Sequence, residues 1–500
     1  MLLLGIDVGT SSIKVAVVDA ATQRCLASTQ YPESEVEIIS VKAGWAEQSA
    51  DLWWENVKLA VKKANGTGKY NPQDIGAIGI AYQMHGLVLL DKEANVLRNS
   101  IIWCDSRAVT YGDAAFNSIG QQQCLSCLLN SPGNFTASKL AWVKEHEPEI
   151  FSRIEKVMLP GDFIAQRLTG TITTTASALS ECILLDFSKN TLSHEVISHF
   201  GFEKAMIPRV QDVFSPHGYL SAVLASELSL RTGIPVSYKA GDQPNNALSL
   251  NVLHPGEVAA TAGTSGVIYG VSDSLTYDPL SRVNSFAHVN HTAASTRVGV
   301  LLCINGTGIL NRWVRQLTGS RFSYNEINEK ASLVKAGSED LFILPFGNGS
   351  ERMLNNKLVG AQLLGIDFNR HTEAHLYRAA QEGIAFAFRY GLDIMRENGM
   401  NPTVIRAGKS NMFLSSVFTE AFVNATGVPV ELFVSDGSVG AALGAGIGAG
   451  FFQNSSEAFS QQEQLGVVLP QHAQLFDGLY QRWREHLLNT LKSVGDQNLN

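Results

Sequence analysis

The sequence predicts an α/β protein built from two similarly organised domains that face each other across a central cleft. Three observations carry this. The chain has 500 residues, which is long for one domain. A Gly-Thr-Ser turn between two apolar, β-branched runs occurs twice, about 250 residues apart. Strand-like and helix-like segments alternate through both halves instead of clustering.

Leu2 to Ile6 reads as a buried strand, Gly9-Thr10-Ser11-Ser12 as a turn, and Ile13 to Val18 as the returning strand. The second copy has the same plan: Glu257 to Ala260 enters, Gly263-Thr264-Ser265-Gly266 turns, and Val267 to Val271 leaves. Little else matches between the halves, so the duplication is one of fold. "DLWWENVKLAVKKA" has helical spacing, with Leu52, Val57 and Val61 among its apolar positions. "IGAIGIAYQMHGLVLLD" predicts two strands around a polar centre, and "ASKLAWVKEHEPEIFSRI" a helix. The longest helix is expected over "TEAHLYRAAQEGIAFAFRYGLDIMRENG", ending at a Gly399 cap. "SSVFTEAFVNATG" and the small-residue run "SVGAALGAGIGAGFF" read as further helices, Phe476 to Val494 as a last one, and "SVGDQNLN" as a frayed end. Residues 1–247 are expected to form the first domain, 253–452 the second, and 453–500 a helical tail.

Composition narrows the function. Hydrophobic residues make up 45% and charged residues 17%, the balance of a globular protein with material for large cores. A formal net charge of −8 without any Lys/Arg run argues against nucleic acid as a partner. Six cysteines are too few for a disulfide scaffold, and Cys124-x-x-Cys127 has no second pair to complete a zinc site. Thiols of this kind suit a reducing cytoplasm. "MLLLGID" lacks the basic start of a signal peptide, and no apolar run reaches the ~18 residues of a membrane span, so no membrane partner is expected.

Several motifs carry chemistry, each with a plainer alternative. Gly-Thr-Ser turns can cradle phosphate oxygens with backbone N–H groups and hydroxyls, although a single one is also a common surface turn. Asp7 lies two residues before Gly9, where a carboxylate can hold a hydrated Mg²⁺. Asp242, in "YKAGDQPNNALSL", follows a strand-like run and is either a general base or the cap of a helix starting near Pro244. His85 stands in a break between apolar runs, as a site residue or a satisfied core one, and "IIWCDSRA" adds Trp103, Asp105 and Arg107. Two look-alikes are set aside. Gly408-Lys409-Ser410 lacks the earlier Gly of a P-loop, since Thr403 stands there. "GAGIGAG" follows a helical context, which favours helix packing over dinucleotide binding.

Taken in order, "GIDVGTSSIKV", "GWAEQSADLWW", "QMHG", "WCDSRA", "MLPGDFIAQRLTG", "GDQPNNA", "TAGTSGVIYG" and "ILPFGNGSER" resemble the FGGY family of carbohydrate kinases, and most closely its xylulokinase branch. The resemblance spans about Leu3 to Gly450. It implies two ribonuclease H-like domains of the actin/hexokinase ATPase type, closing around ATP, Mg²⁺ and a sugar. One hairpin from each domain would then hold the nucleotide phosphates. It implies Asp242 as the base for the terminal sugar hydroxyl and Asp7 as the organiser of Mg²⁺. Gln83, Met84, His85, Gly86, Trp103 and Asp105 would line the sugar site. Thr10, Ser11, Ser12, Lys14, Gly263, Thr264 and Ser265 would face phosphates, and Gly306, Ala407, Gly408 and Asn411 would sit near the nucleotide. A homodimer is the family's common habit.

Three positions depart from the family's pattern. Arg406 stands where the adenosine loop often begins with Gly. "TTTASALS" replaces a Thr/Ser-Asp-x-Ser stretch, which predicts one polar contact fewer. Gln243-Pro244 follows the catalytic Asp where Asn-Ala is common. The expected reaction is ATP-dependent phosphorylation of D-xylulose, with D-ribulose, a deoxyketose or gluconate as alternative acceptors. A non-catalytic, actin-like sugar or nucleotide sensor is the other class of reading, kept open by Arg406.

Overall fold

The computed structural model describes residues 1–497. In the first half, β1 (Leu2–Val8), β2 (Ile13–Asp19) and β3 (Cys25–Tyr31) form an antiparallel meander. β4 (Ile75–Tyr82) and β5 (Val236–Gly241) add parallel strands beyond β1, giving the order β5-β4-β1-β2-β3. β4 is buried along its whole length, which suits its unbroken run of apolar residues and glycines between two parallel neighbours. Helix α1 (Ala50–Asn65) packs on β2 and β3, capped by the Ser49 hydroxyl. Leu52, expected on its apolar face, is instead exposed in the first turn.

The second half contains β6 (Glu257–Ala262), β7 (Gly266–Ser272), β8 (Asn284–Ala287), β9 (Val298–Ile304), β10 (Val404–Gly408), β11 (Val430–Phe433) and β12 (Gln464–Val468). Their order is β8-β9-β7-β6-β10-β11-β12. Within it, β11-β10-β6-β7-β9 repeats the order and strand directions of the first sheet. The duplication inferred from the two hairpins is therefore a duplication of a five-stranded sheet.

Helices α2 (Thr136–His146), α3 (Ala176–Glu181) and α4 (Asp242–Ser249) belong to the first half. α5 (Gly308–Leu317), α6 (Glu373–Glu397), α7 (Ser416–Thr426), α8 (Gly437–Gly448) and α9 (Ala473–Gln497) follow. The helix expected through "ASKLAWVKEHEPEIFSRI" ends at His146 and restarts as a single turn at Pro148, because proline disfavours helical backbone at Glu147. The segment expected as a wholly helical tail also supplies β12, an edge strand beside β11. α9 runs through Gln497, past the start of the expected frayed end; residues 498–500 of that end lie outside the described residues. α9 packs on α6 and α7, and its fully buried Trp483 donates to the Ile343 carbonyl at 2.8 Å.

Among the contacts that join the halves, two bear on the site. The first is α8, which lies across β1, β4 and β5 of the other half. Its backbone comes so close that a Cβ on Gly5 would fall 1.8 Å from the Ser438 carbonyl oxygen, and one on Gly79 would fall 1.9 Å from that of Ala441. The Ser237 hydroxyl closes the seam on Ala445 O at 2.8 Å. The second is β8, whose backbone is held by first-half side chains. Asn130 donates to Ser285 O at 2.5 Å and accepts from Ser285 N at 2.9 Å, while the Ser180 hydroxyl accepts from Ala287 N at 2.9 Å. Replacing Gly79 by Ala forces two backbones apart. It should lower unfolding free energy by about 3 kcal/mol or more, measured by chemical denaturation; a loss below about 1 kcal/mol would show that the helix is free to shift.

Candidate active site

Three carboxylates gather at the seam between the halves. Asp7 is near the end of β1, Asp242 opens α4 directly after β5, and Asp436 caps α8. A Cβ on Gly437 would lie 2.7 Å from Asp7 Oδ2, so the helix start is pressed against that carboxylate. Burial pushes Asp7 up to about 6, with Lys14 pulling it down and Asp436 adding to the rise. Burial and then the charge of Asp7 push Asp242 up to about 7. Asp242 is the first residue inside its helix and Gly241 holds the cap position, so the capping alternative raised by the sequence is not the one the structure adopts. Pro244 falls in the first helical turn, where a missing N–H costs nothing.

Mg²⁺ prefers oxygen ligands, and one or two carboxylates suffice when waters and phosphate oxygens complete its shell. Asp7 beside Asp242 fits that need. No group of three or more His, Cys, Asp or Glu among the described residues is arranged to hold a metal ion, so Asp436 does not complete a three-carboxylate site.

The first hairpin is closed by Gly9 N–H on Ser12 O at 3.2 Å and leaves Ser11 and Lys14 exposed, with Lys14 directly opposite Asp7 across the ladder. The second hairpin is anchored by α5: Gly308 N–H and Ile309 N–H donate to the carbonyls of Gly263 and Thr264 at 2.9 and 3.0 Å. Thr264 and Ser265 remain exposed. Beside this hairpin is a cavity of about 310 Å³ lined by Thr264, Gly308, Arg312, Tyr324, Asn328 and Asn411, among others.

The residues expected near a nucleotide divide. Gly263, Thr264 and Asn411 line the cavity. Gly306 does not: it is buried against Pro345, where a Cβ would fall 1.6 Å from the carbonyl oxygen. Ala407 is fully buried in β10, and neither it nor Gly408 lines the cavity. Arg406 does not intrude either. Its guanidinium is committed within the sheet, to Glu431 at 2.8 Å and Glu257 at 3.2 Å.

On the other side of Asp242, His85 adopts a left-handed backbone with φ 62°. Its N–H donates to Glu181 Oε2 at 2.9 Å, and its carbonyl receives the buried Lys139 ammonium at 2.9 Å. Nδ1 faces the Glu181 carbonyl at 3.0 Å. A carbonyl only accepts, so Nδ1 carries the proton and Nε2 keeps its lone pair. Burial, then the Lys139 charge, holds His85 down at about 3, so the ring is neutral near pH 7. Phe135 and Phe286 flank it at 4.8 and 5.4 Å between ring centroids, Phe286 coming from the second half on β8. Met84 packs against Gly241, and Gly86 leaves room for Pro160.

Trp103 is 53% exposed and donates its ring N–H to Thr10 Oγ1 at 3.0 Å. Gln83 is buried and receives the Thr10 hydroxyl at 3.3 Å. Asp105, expected in the sugar site, is fully buried. Its two oxygens are taken by Arg107 and by Ala46 N–H at 2.6 Å, so it supports the Trp103 loop from behind.

Glu181 escaped the sequence reading. It lies just past the "TTTASALS" stretch, where one polar contact fewer was expected. The stretch is in fact richly engaged. Thr175 caps α3, Ser180 holds β8, and Glu181 takes His85 N–H and the Tyr82 hydroxyl at 2.8 Å. No spacing marks a lone Glu at a helix end; only the fold brings it to His85. Glu351 was likewise unmarked within "ILPFGNGSER", and its carboxylate accepts Asn305 N–H at 2.9 Å.

Burial, against its two hydrogen bonds and with the Asp242 charge adding, pushes Glu181 up to about 8 from the ordinary 4.5. The folded state therefore binds a proton that the unfolded chain releases between about pH 4.5 and 8, and this residue costs stability as pH rises through that window. Glu181→Gln should gain stability relative to the parent as pH goes from 5 to 8, read as the difference in Tm. A difference flat in pH would contradict the neutral carboxyl.

Comparison with known proteins gives the family of the chain. The N-terminal domain model of the FGGY family of carbohydrate kinases matches residues 2–249, and its C-terminal domain model matches 258–450. The xylulose kinase of Escherichia coli strain K12 is 29% identical over 452 residues, 88% of each chain. That of Bacillus subtilis strain 168 is 28% identical over 467 residues, covering 92% of this chain and 90% of the relative. A solved structure titled a "xyloylose kinase" from Brucella ovis superposes with a TM-score of 0.89 at 26% identity, over 99% of this chain and 100% of that one. Two duplicated sheets, a hairpin from each and matching models over both halves make this chain a member of the FGGY family of carbohydrate kinases.

Proposed function

We propose that the protein transfers the γ-phosphoryl group of ATP to the terminal hydroxyl of a ketopentose, D-xylulose, giving D-xylulose 5-phosphate and ADP. The observation that carries this is the position of Asp242. It directly follows Gly241, which packs on Met84, and burial, then the charge of nearby Asp7, raises its pKa to about 7. A base tuned near neutrality can take a proton from an alcohol as the alcohol attacks.

In this reading the Asp242 carboxylate accepts the hydroxyl proton as the sugar oxygen bonds to phosphorus and the bond to the ADP oxygen breaks. The proton leaves on Asp242 and the negative charge leaves on ADP. His85 Nε2, a neutral acceptor, orients a second sugar hydroxyl. The exposed face of Trp103 covers the C–H side of the sugar, while Phe286 backs His85 from within the core. Ser11, Thr264 and Ser265 offer donors to the triphosphate, and the cavity beside Asn411 and Tyr324 receives the nucleoside. Asp7 would hold Mg²⁺, which would supply neutralisation of charge on the phosphate oxygens. Closure of the two halves excludes water, which otherwise competes as acceptor.

The designation of the bacterial relatives as xylulose kinases supports the sugar. A neutral histidine among aromatic rings favours an uncharged polyol over gluconate. The sensor reading loses its support with Arg406, whose charge is spent inside the sheet.

The test is ADP release from ATP with Mg²⁺ and a panel of D-xylulose, D-ribulose, a deoxyketose, gluconate and glycerol. D-Xylulose should give the highest kcat/KM, and Asp242→Asn should lose about 10²–10⁴-fold of it. Turnover of another sugar in preference, or an undiminished Asp242→Asn variant, would overturn the substrate or the base respectively.

A further inference from the structure

Thr10 was expected to serve phosphate and Gln83 and Trp103 to serve sugar. In the structure these three share one hydrogen-bond network. Trp103 Nε1–H donates to Thr10 Oγ1 at 3.0 Å, and the same hydroxyl donates to Gln83 Oε1 at 3.3 Å. Gln83 Nε2 donates to Gln48 Oε1 at 3.2 Å, and Gln48 Nε2 returns to the Thr10 carbonyl at 2.8 Å. The ring is completed from below by Trp53 Nε1–H on Gln48 Oε1 at 3.1 Å. Gln48, Gln83 and Trp53 are about 1% exposed, so water does not substitute for a broken bond there.

The roles of the atoms leave little freedom. An indole N–H only donates, so Thr10 must accept from Trp103, and its single hydroxyl proton is then directed at Gln83. The Thr10 rotor is fixed only while both bonds stand. Its inner bond is buried, but its outer bond ends on an indole that is 53% exposed. Trp103 also lies in an irregular stretch, without a helix or strand to hold it. The outer bond is thus open to water until something covers the ring.

We propose that Trp103 and Thr10 couple the two subsites: a sugar seated on the indole shields the Trp103 N–H and fixes Thr10, which positions the first phosphate hairpin for ATP. Thr10 is then a positioning residue rather than a phosphate ligand alone. Linkage is reciprocal, so nucleotide must tighten sugar by the factor by which sugar tightens nucleotide. One partly exposed hydrogen bond made firm corresponds to about fivefold. The inference rests on the kinase reading above.

The experiment is calorimetric titration of the full chain with D-xylulose, with and without a saturating non-hydrolysable ATP analogue and Mg²⁺, and the reverse titration. The parent should show a coupling factor of about fivefold in both directions. Trp103→Phe keeps an aromatic face and loses the N–H; Thr10→Val keeps the shape and loses the hydroxyl. Each should bring the factor to within about twofold of unity, and the double variant should go no further, because both cut one link. Thr10→Ser, which keeps the hydroxyl, should restore the coupling. A parent factor of one overturns the proposal, as does full coupling in either single variant, or a fall in Tm with coupling unchanged. Where Trp103→Phe no longer binds sugar, the Thr10 pair of variants decides the matter alone. If D-xylulose is phosphorylated normally while coupling is absent, only this proposal fails; if no sugar on the panel is phosphorylated, the kinase reading fails.

Discussion

The contact between α8 and the first sheet is the constraint on which the cleft depends. A helix normally rests about 10 Å from a sheet, on side chains. Here Gly5 and Gly79 have none, and the helix answers with Ser438, Ala441, Ala442 and Ala445. Backbone meets backbone across the two halves. The consequence is electrostatic as much as steric: the start of α8, with Asp436, is brought against Asp7, which already faces Asp242. Asp7 and Asp242 are buried there, and burial first, then a neighbouring carboxylate charge, raises the pKa of each.

A second tie, at β8, shapes the surroundings of His85. Asn130 offers its amide to Ser285 as a peptide group would, giving and receiving one bond, and Ser180 takes the next free N–H. This satisfies backbone groups at a sheet edge that would otherwise need water. It also delivers Phe286 to His85. The surroundings of His85 are therefore composite, with polar groups from one half and one aromatic ring from the other. α3 serves both purposes, since Ser180 holds the strand and Glu181 holds the histidine.

His85 shows how a lone histidine becomes specific. Its backbone is in the left-handed region, which is unfavourable for a residue with a side chain. Glu181 and Lys139 grip the N–H and the carbonyl from opposite sides, and the Glu181 carbonyl selects the tautomer. Burial then keeps the ring uncharged. Each of these groups is itself buried, so the arrangement is stable only as a set: removal of one leaves another without its partner.

Much was legible in the chain itself. The paired hairpins, the β-branched strands around them and the alternation of strand and helix follow from local pattern, because strand pleat and turn geometry are set within a few residues. Asp7 and Asp242 were legible for the same reason, since each stands next to a turn or strand end that marks it. What only the tertiary structure decided is which groups meet. "SVGAALGAGIGAGFF" announces a helix but not that its partner is the sheet of the other half. Arg406 looked like an obstacle to nucleotide until its strand neighbours were known, because the face a strand residue presents depends on register, and Glu431 directly opposite, with Glu257 diagonally placed on the other neighbouring strand, claims it. Asp105 looked like a sugar ligand, yet Arg107 two residues away draws it into the interior. Glu181 carried no signal at all. A carboxyl's chemistry is set by its distance to other charges and to water, and those distances exist only after the two sheets have closed on each other.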